Sequence, residues 1–262
     1  MFKTLWINRN LIKQFTIREI SGRYRGSLLG TLWSIITPLL MLSIYTFVFS
    51  EIFKSRWSPE SENKLEFALL VFSGLIIFNI FAEMLTRAPS LIISNQNYVK
   101  KVIFPLEILP IAILGSALFH SCISFIILSC GLYFFMGTIH WTIILLPVIL
   151  IPFVFLSIGL SWILSALGVY FRDIGHFITL LVQALMLLSP IFYPISMIPQ
   201  NLLFIYYFNP LTLIVENTRN ILVWGQLPEW NTYAGFTIVS LVIYFSGYFF
   251  FQRTKGGFAD VL

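Results

Sequence analysis

The sequence predicts an all-α membrane protein. Six transmembrane helices are expected, with an N-terminal interfacial helix before them and two short re-entrant helices on the outer side between spans five and six. Three observations carry this reading. Of 262 residues, 58% are hydrophobic and only 10% charged, where a soluble domain carries about 25% charged residues. Segments 26–50, 67–82, 108–171, 174–215 and 230–252 contain no Asp, Glu, Lys or Arg, and a crossing helix needs about 20 mostly apolar residues. The basic residues gather on alternate connections, which is a topology signal.

The elements follow in order. Residues 1–27 form an N-terminal segment, helical over 8–27. On a helical wheel Leu11, Ile12 and Phe15 gather on one side and Ile17, Ile20 and Tyr24 on another, so pattern gives only weak support for an interfacial helix. The expected spans are 28–50, 65–86, 106–136, 141–168, 174–193 and 232–252. Pro38 is expected to kink the first, and Pro147 and Pro152 the fourth. The turn at Gly137, Thr138, Ile139 and His140 separates the third from the fourth.

Segment 190–228 is Pro-broken and apolar. Asn209 suits a helix N-cap, Pro210 the first helical position and Gly225 a C-terminal stop. The helix between them carries Glu216 and Arg219 and is too short and too charged to cross. Irregular backbone at membrane depth requires surrounding protein or a water-filled cavity. The region therefore reads as two short re-entrant or interfacial helices, and an apolar loop on the membrane surface is the plainer alternative.

Charge placement sets the orientation. With both termini in the cytoplasm, the inner segments hold Lys3, Arg9, Lys13, Arg18, Arg23, Arg25, Arg87, Lys100, Lys101, Arg172, Arg253 and Lys255. Only Lys54, Arg56, Lys64 and Arg219 fall outside. The net charge of +5 is thus spent on topology, and nucleic acid is not an expected partner. Cys122 and Cys130 would lie about 12 Å apart on one helix, too far for a disulfide; they read as small core residues. Residues 1–24 show no apolar stretch of the kind a cleavable signal peptide carries.

Chemistry-bearing motifs are sparse. Lys255, Gly256 and Gly257 are not a phosphate-cradling loop. His120, His140 and His176 are isolated in sequence and read as packed or interfacial residues, and no metal site or catalytic motif stands out. Ion-coupled carriers place ionisable residues within their spans, yet the span centres here lack Asp, Glu, Lys and Arg; His120 is the one titratable candidate near mid-span. Uphill movement of a solute would then draw its energy from another subunit.

The connection 89–105 exceeds the 2–8 residues that a helix–helix link needs. It alternates apolar anchors with Asn95, Gln96, Asn97, Lys100 and Lys101. Two readings stand: it docks into a partner's groove, or its lysines meet lipid phosphates.

Arg23-Tyr24-Arg25-Gly26-Ser27-Leu28-Leu29-Gly30-Thr31-Leu32-Trp33 with Thr37-Pro38 resembles the opening of polysaccharide-export ABC transporter permeases. Residues 97–110, Tyr170-Phe171-Arg172-Asp173-Ile174, and Asn209-Pro210-Leu211-Thr212 with Glu216, Arg219 and Gly225 resemble later parts of that family, in order. The resemblance implies a six-helix ABC transporter transmembrane domain over 28–262, in the bacterial inner membrane. It implies a homodimer with a channel between subunits and two copies of a separate cytosolic ATPase. ATP and Mg²⁺ would sit on that partner, with no cofactor in this chain and no catalysis by it. Within 89–104, the coupling contact would fall on Ser94, Asn95, Gln96, Asn97, Tyr98, Lys100 and Lys101, and a second contact on Arg172 and Asp173.

Arg23, Tyr24 and Arg25 would gate the entry and meet the substrate's lipid diphosphate, since guanidinium binds phosphate bidentately; topology and anionic lipid explain the two arginines equally well. Trp33, Tyr45, Phe49, Phe192 and Tyr193 would line a glycan path or simply pack. The implied substrate is an undecaprenyl-diphosphate-linked polysaccharide, O-antigen first, and the uncharged span centres suit a neutral sugar chain. The alternatives are capsule, teichoic acid, a small lipid or drug, or an ion-gradient-driven carrier.

Overall fold

The computed structural model describes residues 2–52, 57, 64–100, 104–137 and 139–262. Lys101, named above as a coupling residue, lies outside them. All regular structure among the described residues is helical. In chain order the α-helices are α1 (Phe2–Ile7), α2 (Arg9–Arg23), α3 (Trp33–Thr46), α4 (Lys64–Ser94), α5 (Gln96–Val99), α6 (Ile108–Met136), α7 (Leu146–Tyr170), α8 (Ile174–Leu187), α9 (Leu203–Phe208), α10 (Pro210–Arg219), α11 (Trp230–Thr254) and α12 (Phe258–Val261).

Among the described residues, five helical stretches are long and apolar enough to cross a membrane: Gly30–Phe49, Leu65–Ser94, Ile108–Met136, Trp141–Tyr170 and Trp230–Val261. The expected fifth span, 174–193, is shorter than predicted. α8 ends at Leu187, and its 14 residues reach about 21 Å against a hydrocarbon core of about 30 Å. Pro190 and Pro194 follow, where the chain cannot supply helical donors. The freed Leu188 carbonyl accepts instead from Asn209 Nδ2 at 3.1 Å.

α4 is the axis of the bundle. It packs against α3, α6, α7, α8 and α10 and is the most deeply covered of the crossing helices, whereas α3 is the least. α4 also runs further than expected: it continues through Pro89 to Ser94, so the first part of 89–104 is helix rather than loop. Here α7 comes close, and a Cβ on Gly168 would lie 2.0 Å from the Pro89 carbonyl oxygen. That contact sets the ends of α4 and α7 side by side.

Asn209 caps α10 as its sequence promised. Its Oδ1 accepts from the Leu211 amide at 3.0 Å, with Pro210 at the first helical position. The turn after α10 stops at Gly225, φ +64°. Thr142, in the tight turn before α7, donates to the Ile221 carbonyl at 2.5 Å, which locks the α6–α7 connection onto this region. At the other end, buried Phe258 packs on Tyr170 and Phe251, and the Tyr170 hydroxyl donates to the Thr254 carbonyl at 3.1 Å. Cys122 and Cys130 are not core residues. Both are exposed on α6.

Candidate functional site

Three membrane helices each turn a polar stripe toward one cavity of about 500 Å³. On α4 the stripe is Asn79, Glu83, Thr86 and Arg87; on α6 it is His120, Ser121 and Ser124; on α3 and its entry it is Trp33, Ser34, Thr37 and Tyr45. Spacings of three and four keep each set on one helical face. The stripe on α4 spans about 12 Å from Arg87 to Asn79. Asn79 is exposed on a helix that is otherwise almost wholly covered, and its amide opens onto the cavity. Phe72, Leu75 and Ile76 continue the wall beyond it.

The hydroxyls are arranged as acceptors. Ser34 donates to the Thr31 carbonyl at 2.7 Å, Ser121 to Leu118 at 2.9 Å and Ser124 to His120 at 3.1 Å. With each proton tied to its own helix, the oxygen lone pairs remain for another donor. Trp33 Nε1 donates to Ser27 Oγ at 3.0 Å, which holds the indole at the cavity edge.

The mouth is charged and internally balanced. Arg23 bonds Glu83, Glu83 lies 3.3 Å from Arg87, and Arg87 bonds Glu19. Two guanidiniums thus alternate with two carboxylates between α2 and α4. Tyr24 lies just inside. Its hydroxyl shares a 3.4 Å hydrogen bond with His120 Nδ1, and the two rings meet edge to face at 5.7 Å. Burial pushes the Tyr24 phenol up, with the neighbouring Arg23 opposing, so it stays a neutral donor. His120 Nε2 is buried with no hydrogen-bond partner among the described residues.

The predicted site residues divide. Arg23, Tyr24, Trp33 and Tyr45 line the cavity. Arg25 is exposed and stands outside it. Phe49 meets Phe67 at 5.2 Å, Phe192 at 5.9 Å and Tyr45 at 6.4 Å, so Phe49 and Phe192 form a packing cluster beside Tyr45. Tyr193 donates to the Leu187 carbonyl at 2.6 Å and its hydroxyl meets that of Tyr206 at 2.8 Å; it closes the end of α8.

At the α4–α5 turn, Ser94, Gln96, Asn97 and Lys100 are exposed. Asn95 Nδ2 donates to the Leu91 carbonyl at 2.9 Å. Tyr98 turns inward onto Phe15 and Phe104. Arg172 and Asp173 are exposed at the α7–α8 turn, at the same end of the bundle. Asn79, Glu83, Thr86, Arg87, His120 and Ser124 were not among the predicted site residues. Their signal was present in the sequence as polar residues three and four apart within apolar helices.

The profile of the ABC-2 type transporter family matches residues 10–223. An O-antigen export system permease protein RfbA of Klebsiella pneumoniae is 28% identical over 256 residues, covering 97% of this chain and 95% of its own. A protein of the same name from Myxococcus xanthus is 25% identical over 267 residues, at 99% and 98% coverage. The polysialic acid transport protein KpsM of Escherichia coli is 27% identical over 247 residues, at 90% and 92%. With its profile matched over most of the length and five helices fit to cross a bilayer, the chain is a multi-pass membrane protein that belongs to the ABC-2 type transporter family.

Proposed function

We propose that this chain is the membrane permease of an ATP-driven exporter that carries an undecaprenyl-diphosphate-linked polysaccharide, O-antigen first among candidates, across the inner membrane to its outer face. The observation that carries the reading is the cavity: three polar stripes converge between membrane helices behind a mouth with two guanidiniums. The wall between the stripes is apolar, and a solute without polar groups would leave the stripes unmatched. Asn79 and a row of accepting hydroxyls instead match the donors of a sugar, and Trp33 and Tyr45 offer faces for its C–H surfaces.

The basic residues put the mouth on the cytoplasmic side. A diphosphate arriving there would exchange with Glu83 and Glu19 for Arg23 and Arg87. Because each arginine already has a carboxylate, the mouth attracts no long polyanion, and this favours a neutral chain behind the diphosphate. The relatives named for O-antigen export support the polysaccharide assignment. A hydrated polymer needs an enclosed path, so two copies of the chain would close it, with the uncovered α3 between them. The energy would come from two copies of a separate ATPase, which holds the ATP and Mg²⁺. Ser94, Gln96, Asn97 and Lys100, with Arg172 and Asp173, form the surface it would meet.

The test is reconstitution. The chain with its co-purified ATPase should hydrolyse ATP faster when a neutral lipid-linked glycan is added, and the chain alone should move nothing uphill. Arg23→Gln and Arg87→Gln should each raise the half-saturating glycan concentration about tenfold, the worth of one charge-assisted hydrogen bond. Uphill transport by the lone polypeptide, or stimulation only by polyanionic glycans, would refute the assignment.

A further inference from the structure

α2 is fastened to the inner end of α4 and α5 at three successive turns. Arg23 meets Glu83, and Glu19 meets Arg87. One turn earlier, buried Phe15 meets the rings of Tyr98 and Phe104 at 5.4 Å each, while Tyr98 and Phe104 stack at 4.6 Å. Residues 15, 19 and 23 share a helix face by their spacing of four. Their partners run 98, 87 and 83, so the two segments run antiparallel, held by side chains alone, while the body of α2 packs on α6, where Thr16 lies against Gly115.

Arg18 lies across the aromatic cluster. Its guanidinium carbon is 4.1 Å from the Phe15 ring centre and 5.7 Å from that of Tyr98. It donates to the Tyr98 hydroxyl at 3.1 Å and to Asn95 Oδ1 at 3.4 Å. The two ion pairs alone are weak as mechanical links, since screened surface pairs are entropically loose and fix no direction, and Arg18 is as exposed as they are. The joint at Arg18 is of another kind. A planar cation held over aromatic faces and bonded to two side chains fixes direction as well as distance.

This joint sits between two places that must communicate. On one side is the turn whose exposed residues face the ATPase in the reading above. On the other, five and six residues further along the chain, are Arg23 and Tyr24 at the cavity mouth. We propose that Arg18 is the positioning residue that makes α2 travel with the 95–99 turn, so that displacement of this turn by the ATPase moves the mouth. The inference rests on the transporter reading, and its test keeps the two separable.

The experiment uses the permease–ATPase complex in lipid nanodiscs, without glycan. Cys122 and Cys130 are replaced by Ser, and Gly22→Cys supplies a reporter one residue before Arg23; a Cβ there meets nothing within 4 Å. Maleimide labelling rates are compared with and without a non-hydrolysable ATP analogue. The parent should label at different rates in the two states. Arg18→Ala should abolish that difference while the ATPase still co-purifies. Tyr98→Phe, which keeps the ring and removes one acceptor, should reduce it, and Arg18→Lys should not restore it fully. The double variant should be no worse than Arg18→Ala alone, as for two members of one contact. An undiminished nucleotide response in Arg18→Ala and Tyr98→Phe overturns the inference. Should Arg18→Ala fail to assemble, Tyr98→Phe decides by itself, and a full response there overturns it. A parent with no nucleotide response sinks the transporter reading and this inference with it.

Discussion

Arg219 is fully buried and charged, a combination that costs several kcal/mol unless every donor is met. Here all five N–H groups are used. Nε and Nη2 donate to the Leu70 carbonyl at 3.2 Å each, Nη2 to Ile191 at 2.7 Å, and Nη1 to Pro190 at 2.5 Å and to Glu216 at 2.8 Å. The guanidinium carbon also lies 4.4 Å from the Trp57 ring centre. Burial pulls the group down to about 10, with Glu216 pulling it back, so it remains charged at neutral pH. One side chain thereby ties α4, the break after α8 and α10 together. Arg219→Ala should cost about 3–5 kcal/mol because three carbonyls and Glu216 lose their partner, read as a lower melting temperature in detergent. Arg219→Lys should fall between, since an ammonium cannot reproduce the fork. Gly74 belongs to the same device: a Cβ there would sit 3.0 Å from Nη2.

Among elements, α7 and α11 cross with their backbones in close approach. A Cβ on Gly159 would lie 2.6 Å from the Ile243 carbonyl oxygen, and one on Gly247 would lie 2.3 Å from that of Gly159. Helices in lipid gain little from apolar attraction alone, so close backbone approach through small residues holds them together. Gly247→Ala should force the pair apart and cost about 1–3 kcal/mol. Gly235→Ala, on the same helix with nothing within 4 Å, should leave stability unchanged. Equal melting shifts for the two variants would show that the crossing is not what the glycines serve. This crossing also matters for the inner face, because α11 leads to Phe258 and so positions the turn that carries Arg172 and Asp173.

At the scale of the molecule, one copy leaves much apolar surface uncovered. Ile35, Leu39, Leu40, Ile44 and Phe47 on or beside α3 are exposed, as are Phe177, Leu180 and Leu181 on α8. Lipid can cover such a surface, but lipid cannot enclose a path for a hydrated polymer. Under the proposed function, a second copy against α3 would meet both needs. In a background without Cys122 and Cys130, cysteines at Leu40 or Ile44 should cross-link two copies in native membranes, and light scattering in mild detergent should give twice the chain mass. A single-chain mass with no cross-link along α3 would remove the dimer.

Segments of composition settled the greater part of this architecture before any coordinates. Uncharged runs located the five crossing helices, Asn209 and Pro210 marked the start of α10, and Gly225 the end of the turn that follows it. These are local signals, because capping chemistry and transfer to lipid act residue by residue. Only the packed chain could decide the rest. That α8 can stop at Leu187 depends on Asn209, some twenty residues away, meeting the Leu188 carbonyl and the Ser189 hydroxyl. That Tyr98 meets Arg18 and Phe15 while Asn97 stays exposed depends on how α2, packed on α6, lies beside the end of α4. That Trp33 and Tyr45 face a cavity while Phe49 and Phe192 pack beside it depends on which faces of α3, α4 and α6 meet. Each is a contact between residues far apart in the chain, and periodicity along one helix carries no information about what lies opposite.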